Sequence, residues 1–223
     1  MVIQSEYKAI LFILNSLIYM PILKNYSIHG AAGNLEGIIH LPDSAPSAIA
    51  VIAHPLPTME GTMENKVVTT LAKTFAELGI VALRFNFRGV GASEGVYDHG
   101  NGEVDDAIAI VRYGQQEYGD LPLILSGFSF GGYVQACAAQ SLRPRRMVLV
   151  APAVGRFAMP DVPSDTLLIH GDQDEVVSLD EVMQWARPQH LPIVVMPETG
   201  HYFHGRLIEL KEVVRQHFLE HPL

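Results

Sequence analysis

The sequence predicts an α/β domain: a mostly parallel sheet of about eight strands with helices on both faces. Three observations lead there. Strand-like and helix-like patterns alternate along most of the chain. The later strand candidates, "AIAVIAH", "LPLILSG", "MVLVAP" and "TLLIHG", are continuous apolar runs, as expected of strands buried on both faces. Finally, 223 residues at 48% hydrophobic and 17% charged suffice for one sizeable core, and no linker or charge block divides them.

Taken in order, Tyr26–His29 and Leu35–Leu41 form an antiparallel hairpin turned by "GAAGN". Strand Ile49–His54 precedes a helix over Thr62–Leu78. There Val67, Leu71, Phe75 and Leu78 recur at helical spacing, and Gly79 stops the helix as a C′ glycine. Strand Ile80–Asn86 and helix Glu103–Tyr118 come next, then strand Leu121–Gly127 and helix Phe130–Ser141. Strand Arg146–Ala151 leads through a loop to strand Thr166–His170 and helix Leu179–Arg187. Strand Pro192–Met196 and helix Arg206–Phe218 close the pattern.

Residues 1–24 stand apart. Between Lys8 and Lys24 the stretch "AILFILNSLIYMPIL" is uncharged and mostly apolar, though broken by Asn15-Ser16 and Pro21. It is short for a membrane span, which needs about 20 apolar residues. Glu6 beside Lys8, with no clear cleavage site, argues against a signal peptide. The segment reads as an accessory helix, an anchor or an upstream extension, and residues 25–223 as a single domain. The expected compartment is the cytoplasm, with an anchored or exported form left open by this segment.

Charge and composition exclude several functions. A net charge of −9 with no basic stripe leaves no footprint for nucleic acid. The one basic cluster, Arg143-Pro-Arg145-Arg146, reads as a solvated helix end. A single cysteine, Cys137, allows no internal disulfide, and its place in an apolar helix pattern reads as a buried, inert thiol. The ten histidines include no His-Glu-x-x-His and no cluster at zinc spacing, and His217 and His221 are expected to face water. "RGVGASEG" lacks the third glycine of a dinucleotide loop, since Glu94 takes its place. Neither metal nor cofactor is expected.

Ligands of open α/β sheets bind at the carboxyl ends of the strands. Those ends carry His54-Pro-Leu-Pro, Arg88-Gly-Val-Gly, the Ser129 turn, His170-Gly-Asp-Gln-Asp174 and Pro-Glu-Thr-Gly-His201. Ser129 lies in "SGFSFGG", a Gly-x-Ser-x-Gly match that is weak alone because glycine and serine are common turn residues. A serine hydroxyl needs a base to remove its proton and a third group to orient that base. On this architecture the partners follow in the order serine, acid, histidine. Ser129, Asp174 and His201 meet both order and placement. Gly127, Gly131 and Gly132 would let strand and helix pack against the sharp turn. Asp172 is the rival acid, otherwise a turn-stabilising carboxylate, and His204 the rival base, otherwise a cap of the last helix. His54 reads as structural, and Arg88 as a pin for its glycine-rich loop or a contact for an acidic substrate.

From Asn25 onward the chain resembles an α/β-hydrolase. It is most similar to small, lidless dienelactone-hydrolase-like and testis-expressed-30-like serine hydrolases. The residues that carry the likeness are "HPLPTMEGTMENKVV", "LRFNFRGVGASEG", "GFSFGGY", "HGDQDEVV" and "GHYFHG". The family pattern Gly-x-x-Asp-x-x-Val falls on Gly171, Asp174 and Val177, which implies Asp174 as the acid, and the late Gly-His implies His201 as the base. Two departures stand out. His54-Pro-Leu-Pro replaces the more usual His-Pro-His-Pro, and a serine stands where dienelactone hydrolases proper use cysteine.

The oxyanion donors expected are the N–H of Phe130, at a helix start whose dipole favours negative charge, and that of Leu56. Leu56 is the only donor within Pro55-Leu-Pro57, since proline lacks an N–H. A lid would be inserted between Ala151 and Thr166, but "PAVGRFAMPDVPSD" is too short for a multi-helix cap. The exposed stretch Phe157–Met159 offers at most a shallow apolar wall, with the N-terminal segment as an alternative cover. The expectation is a monomeric or homodimeric serine hydrolase acting on a small, soluble ester, with no membrane partner. The rival is a hydrolase-fold binder, or an acyltransferase or peptidase on the same scaffold.

Overall fold

The computed structural model describes residues 21–223. They build an eight-stranded sheet in the order β1-β2-β4-β3-β5-β6-β7-β8. β1 (Ile22–Gly30) and β2 (Gly33–Leu41) form the antiparallel hairpin. β2 also runs antiparallel to β4 (Val81–Phe85). From β4 the sheet continues in parallel through β3 (Ile49–Ala53), β5 (Leu123–Phe128), β6 (Arg146–Val150), β7 (Leu167–Gly171) and β8 (Ile193–Met196).

The apolar runs serve two cores at once. Every residue of β3, β4 and β5 is buried. Along β3, Ile49, Val51 and Ala53 join one core, while Ala50 and Ile52 join the other. This is the period-two geometry of a strand with no solvent face. α2 (Asn101–Tyr118), α3 (Phe130–Leu142) and α4 (Leu179–Ala186) cover the first face through Ile110, Val134 and Val182. α1 (Lys66–Glu77) and α5 (Leu207–Glu220) cover the second through Leu71, Phe75, Leu210 and Phe218. Each such large side chain contributes about 1.5–3 kcal/mol when fully buried.

Element ends differ from expectation for local reasons. α1 starts at Lys66 rather than Thr62, because the Asn65 side chain accepts the Val67 N–H at 2.9 Å and caps the helix there. The Asn65 N–H returns to Thr62 O at 3.1 Å, so the preceding residues close a turn instead. The C-terminus of α1 matches the expectation. Gly79 has φ 78°, and the N–H groups of Gly79 and Ile80 return to the carbonyls of Ala76 and Phe75. β1 begins at Ile22, inside the segment read as an extension. Ile22 pairs with Leu41 although its side chain is exposed, so backbone pairing rather than burial lengthens the strand.

The reading of residues 1–20 as accessory helix, anchor or extension lies outside the described residues. Among the described residues no helix is long and apolar enough to cross a membrane. Cys137 is half-buried rather than buried; burial still pushes its thiol pKa up, against a hydrogen bond with Tyr133. His217 does not face water as expected. The last turn of α5 sinks Phe218 into the core and leaves His217 half-buried beside Arg146 and Leu167.

The carboxyl ends of β3 to β8 all reach one rim of the sheet. Between β6 and β7 the chain forms a bridge from Val154 to Phe157 and no helix, so no lid covers that rim among the described residues. Ile22 lies at the opposite rim, and α5 returns there, where His221 stands beside Arg146 and Leu167 at the starts of β6 and β7.

One buried ion pair fixes a loop of the working rim. Arg88, just past β4, donates from its backbone N–H and its guanidinium to Asp106 of α2, at 2.8–3.2 Å. The pin holds the glycine-rich loop after β4, from which Tyr97 packs its ring 5.9 Å from that of Phe130. The pinning role expected of Arg88 is the one found. Removing one partner of a buried pair leaves an uncompensated charge, at a cost of about 3–5 kcal/mol. Asp106→Ala should therefore lower unfolding stability by about that amount in urea denaturation, and a loss below about 1 kcal/mol, the level of an exposed pair, would contradict the pin.

Candidate active site

The sharpest turn of the working rim is at Ser129. There β5 gives way to α3, and Ser129 takes φ 54° and ψ −117°, a sparsely populated conformation that costs about 1–3 kcal/mol and persists only where its surroundings enforce it. Backbone hydrogen bonds enforce it. The Ser129 N–H donates to Val150 O at 3.0 Å, and Ser129 O accepts from the N–H groups of Gly132 and Ala153 at 2.9 and 3.2 Å. The flanking glycines allow the approach. A Cβ at Gly127 would meet the Gly131 carbonyl, and one at Gly131 would meet that of Ala53.

His201 and Asp174 reach the serine from two further loops. His201 Nε2 lies 3.0 Å from Ser129 Oγ, and His201 Nδ1 lies 2.7 Å from Asp174 Oδ2. With the Nδ1–H on Asp174, Nε2 is left to accept the serine O–H. All three are nearly closed to solvent, at 8% exposure for Ser129, 2% for His201 and 9% for Asp174. Asp174 Oδ1 also accepts the N–H groups of Val176 and Val177, at 2.9 and 2.8 Å. Burial alone would raise the Asp174 pKa, but His201 and these two N–H groups outweigh it and hold the carboxyl below its ordinary value.

The rivals are sorted by the same geometry. Asp172 is exposed and accepts the Thr199 N–H at 3.3 Å, steadying the His201 loop as a turn carboxylate would. His204 lies 5.8 Å from the Tyr202 ring, and α5 has Arg206 as its N-cap, so His204 is not the cap expected of it. His54 is structural: its ring donates to Pro55 O at 2.7 Å and accepts the Phe87 N–H at 3.1 Å. Burial lowers its pKa to about 4, against the pull of the Pro55 carbonyl, and the neutral ring ties the Pro55-Leu56-Pro57 loop to the end of β4.

That loop brings Leu56 beside Phe130 in a cavity of about 430 Å³ that also contains Ser129 and His201. Neither the Leu56 nor the Phe130 N–H has a hydrogen-bond acceptor among the described residues. Met59, Phe157, Val176 and Tyr202 add apolar wall, and Asn65, Arg156, Glu60 and Glu175 add polar edge. Phe157 is half-buried, not exposed, because it stacks on Tyr133 with ring centres 4.7 Å apart. Sequence reasoning passed over Glu175, whose carboxylate accepts the His201 backbone N–H at 3.2 Å. No pattern marks an acid used through a backbone contact. Among the described residues no set of three or more His, Cys, Asp or Glu side chains could hold a metal ion.

Known proteins share this fold. Residues 61–163 match the family described as serine aminopeptidase, S33. The uncharacterized protein RP471 of Rickettsia prowazekii is 30% identical over 207 residues, which cover 86% of this chain and 87% of the relative. An α/β serine hydrolase without a lid from Xanthomonas campestris is 38% identical with a TM-score of 0.85, covering 91% of this chain and 96% of that one. An α/β serine hydrolase homologue from Coxiella burnetii is 42% identical with a TM-score of 0.82, covering 89% and 98%. By sequence and by fold, the chain belongs to the α/β-hydrolase superfamily.

Proposed function

We propose that the protein cleaves an ester or related acyl bond of a small, soluble substrate through an acyl-enzyme. The observation that carries this reading is the unbroken relay from Ser129 Oγ through His201 to Asp174, at 3.0 and 2.7 Å. His201 Nε2 removes the Ser129 proton as Oγ attacks the carbonyl carbon. The Leu56 and Phe130 N–H groups, unpaired in residues that line the cavity, stabilise the oxyanion as it forms. His201 then returns the proton to the leaving group as the tetrahedral species collapses to an acyl-Ser129 ester. Water, deprotonated by the same ring, releases the acyl group and restores the serine. Asp174 holds His201 in one tautomer and stabilises its charged form. No step calls for a metal or cofactor.

On its motifs we place the chain nearest the dienelactone-hydrolase-like and testis-expressed-30-like enzymes, in the cytoplasm, as a monomer or homodimer. The aminopeptidase description of the matching family favours amide cleavage as a second reading. Parallel assays on p-nitrophenyl esters and p-nitroanilides separate the two.

A fluorophosphonate probe should label the wild-type protein at Ser129, and Ser129→Ala should neither label nor turn over ester. Residual turnover above about 10%, far beyond that of a broken triad, would move the nucleophile elsewhere. Asp174→Asn should reduce kcat by about 10⁴-fold, the loss expected when the histidine adopts the wrong tautomer. Asp172→Asn, which touches only Thr199, should lose far less, and a reversed order would transfer the acid role.

Chain-length dependence follows from the open mouth. Each methylene that finds apolar cover would add about 0.8 kcal/mol of binding, and the short loop after β6 supplies little. Rates on p-nitrophenyl esters should fall from acetyl to palmitoyl, and a steady climb along that series would overturn the preference for small acyl groups.

A further inference from the structure

Two buried histidines face one carboxylate oxygen. His201 Nδ1 lies 2.7 Å from Asp174 Oδ2, and His170 Nε2 lies 3.5 Å from the same atom. Only His201 continues to the serine. His170, in β7, is fully buried, and its Nε2–H donates to Val177 O at 2.9 Å. Its other nitrogen, Nδ1, is buried with no partner. A polar atom left in that state costs about 1–3 kcal/mol, which a phenylalanine in the same space would not incur. What the imidazole offers over phenylalanine is its Nε2–H alone.

That N–H acts on the turn that carries the acid. Asp174 Oδ1 accepts from Val176 and Val177, so the Asp174–Val177 turn is closed by its own hydrogen bonds. On its outer side the turn is tied by the Arg156 guanidinium, which donates to Val176 O at 3.1 and 3.2 Å; its inner side is held from the core. The buried Val177 side chain anchors it to the core, and His170 anchors the rotation of the Val177 peptide by holding its carbonyl. Burial lowers the His170 pKa, with the His201 ring acting in the same sense against Val177 O and Asp174. The ring is therefore favoured in its neutral form, with Nε2–H as its donor.

We infer that His170 is a positioning residue: by tying the Val177 carbonyl to β7, it sets the angle at which Asp174 meets His201. The inference rests on the Ser129–His201–Asp174 reading above. It is tested in the full chain with His170→Phe and His170→Met, which cannot donate, and His170→Gln, which can. The readouts are kcat and KM on p-nitrophenyl acetate, thermal melting, and the downfield proton resonance of His201 Nδ1–H.

In the two non-donor variants kcat should fall about 10- to 100-fold, the scale of a misplacement of about 1 Å. KM should stay near wild type, and the resonance should broaden or move upfield. His170→Gln should recover most of both. A folded non-donor variant with wild-type kcat and an unmoved resonance overturns the inference, as does a Gln variant as impaired as Phe. Failure of both non-donor variants to fold assigns the N–H to stability and overturns it equally. Turnover by Ser129→Ala, measured alongside, would instead sink the triad reading, so the two failures are distinguishable.

Discussion

The close approach of β5 and α3 at Ser129 is the constraint on which the rest depends. The backbone turns there through a conformation that a non-glycine residue rarely adopts, and the turn survives because Gly127 and Gly131 leave no side chain where carbonyl oxygens already stand. The same turn starts a helix with free N–H groups, points a hydroxyl out of the sheet and fixes Phe130 against Tyr97 and Phe157. Strain, an outward hydroxyl and one unpaired N–H thus come from one short piece of chain, and the other loops need only reach it.

They reach it by topology. Parallel strands deliver their carboxyl ends to one rim, so residues far apart in sequence, such as Ser129 and His201, meet without long connections. Each loop is then held by a hydrogen-bonded polar side chain. His54 holds the Leu56 loop, Arg88 and Asp106 hold the glycine-rich loop, and Asp172 steadies the segment leading to His201. Precise sites need such supporting contacts, because a reacting group left free to swing loses rate steeply.

Much of this was legible in the sequence. The doubly buried strands announced themselves as unbroken apolar runs, and Gly79 ended α1 where its spacing said it would. Ser129, Asp174 and His201 could be picked out because strand ends are punctuated by glycine and because their order along the chain is restrictive. What stayed hidden was set by contacts between distant backbone atoms. Nothing near Thr62 shows that Asn65 will cap the helix instead, and Ile22 joins β1 only because Leu41 offers it a partner. The Leu56 loop is a middle case: Pro55 and Pro57 single out the Leu56 N–H, but the position of the loop depends on His54 and Phe87, more than thirty residues apart.

The start of β1 and the end of α5 both lie on the rim away from Ser129, at different strands of the sheet. Anything joined after α5, whether a purification handle, a bead or a second protein, would therefore sit behind the sheet with the mouth facing outward. Immobilised through that end, the domain would present its cavity to the bulk solution. The geometry makes it a convenient module for display on a surface.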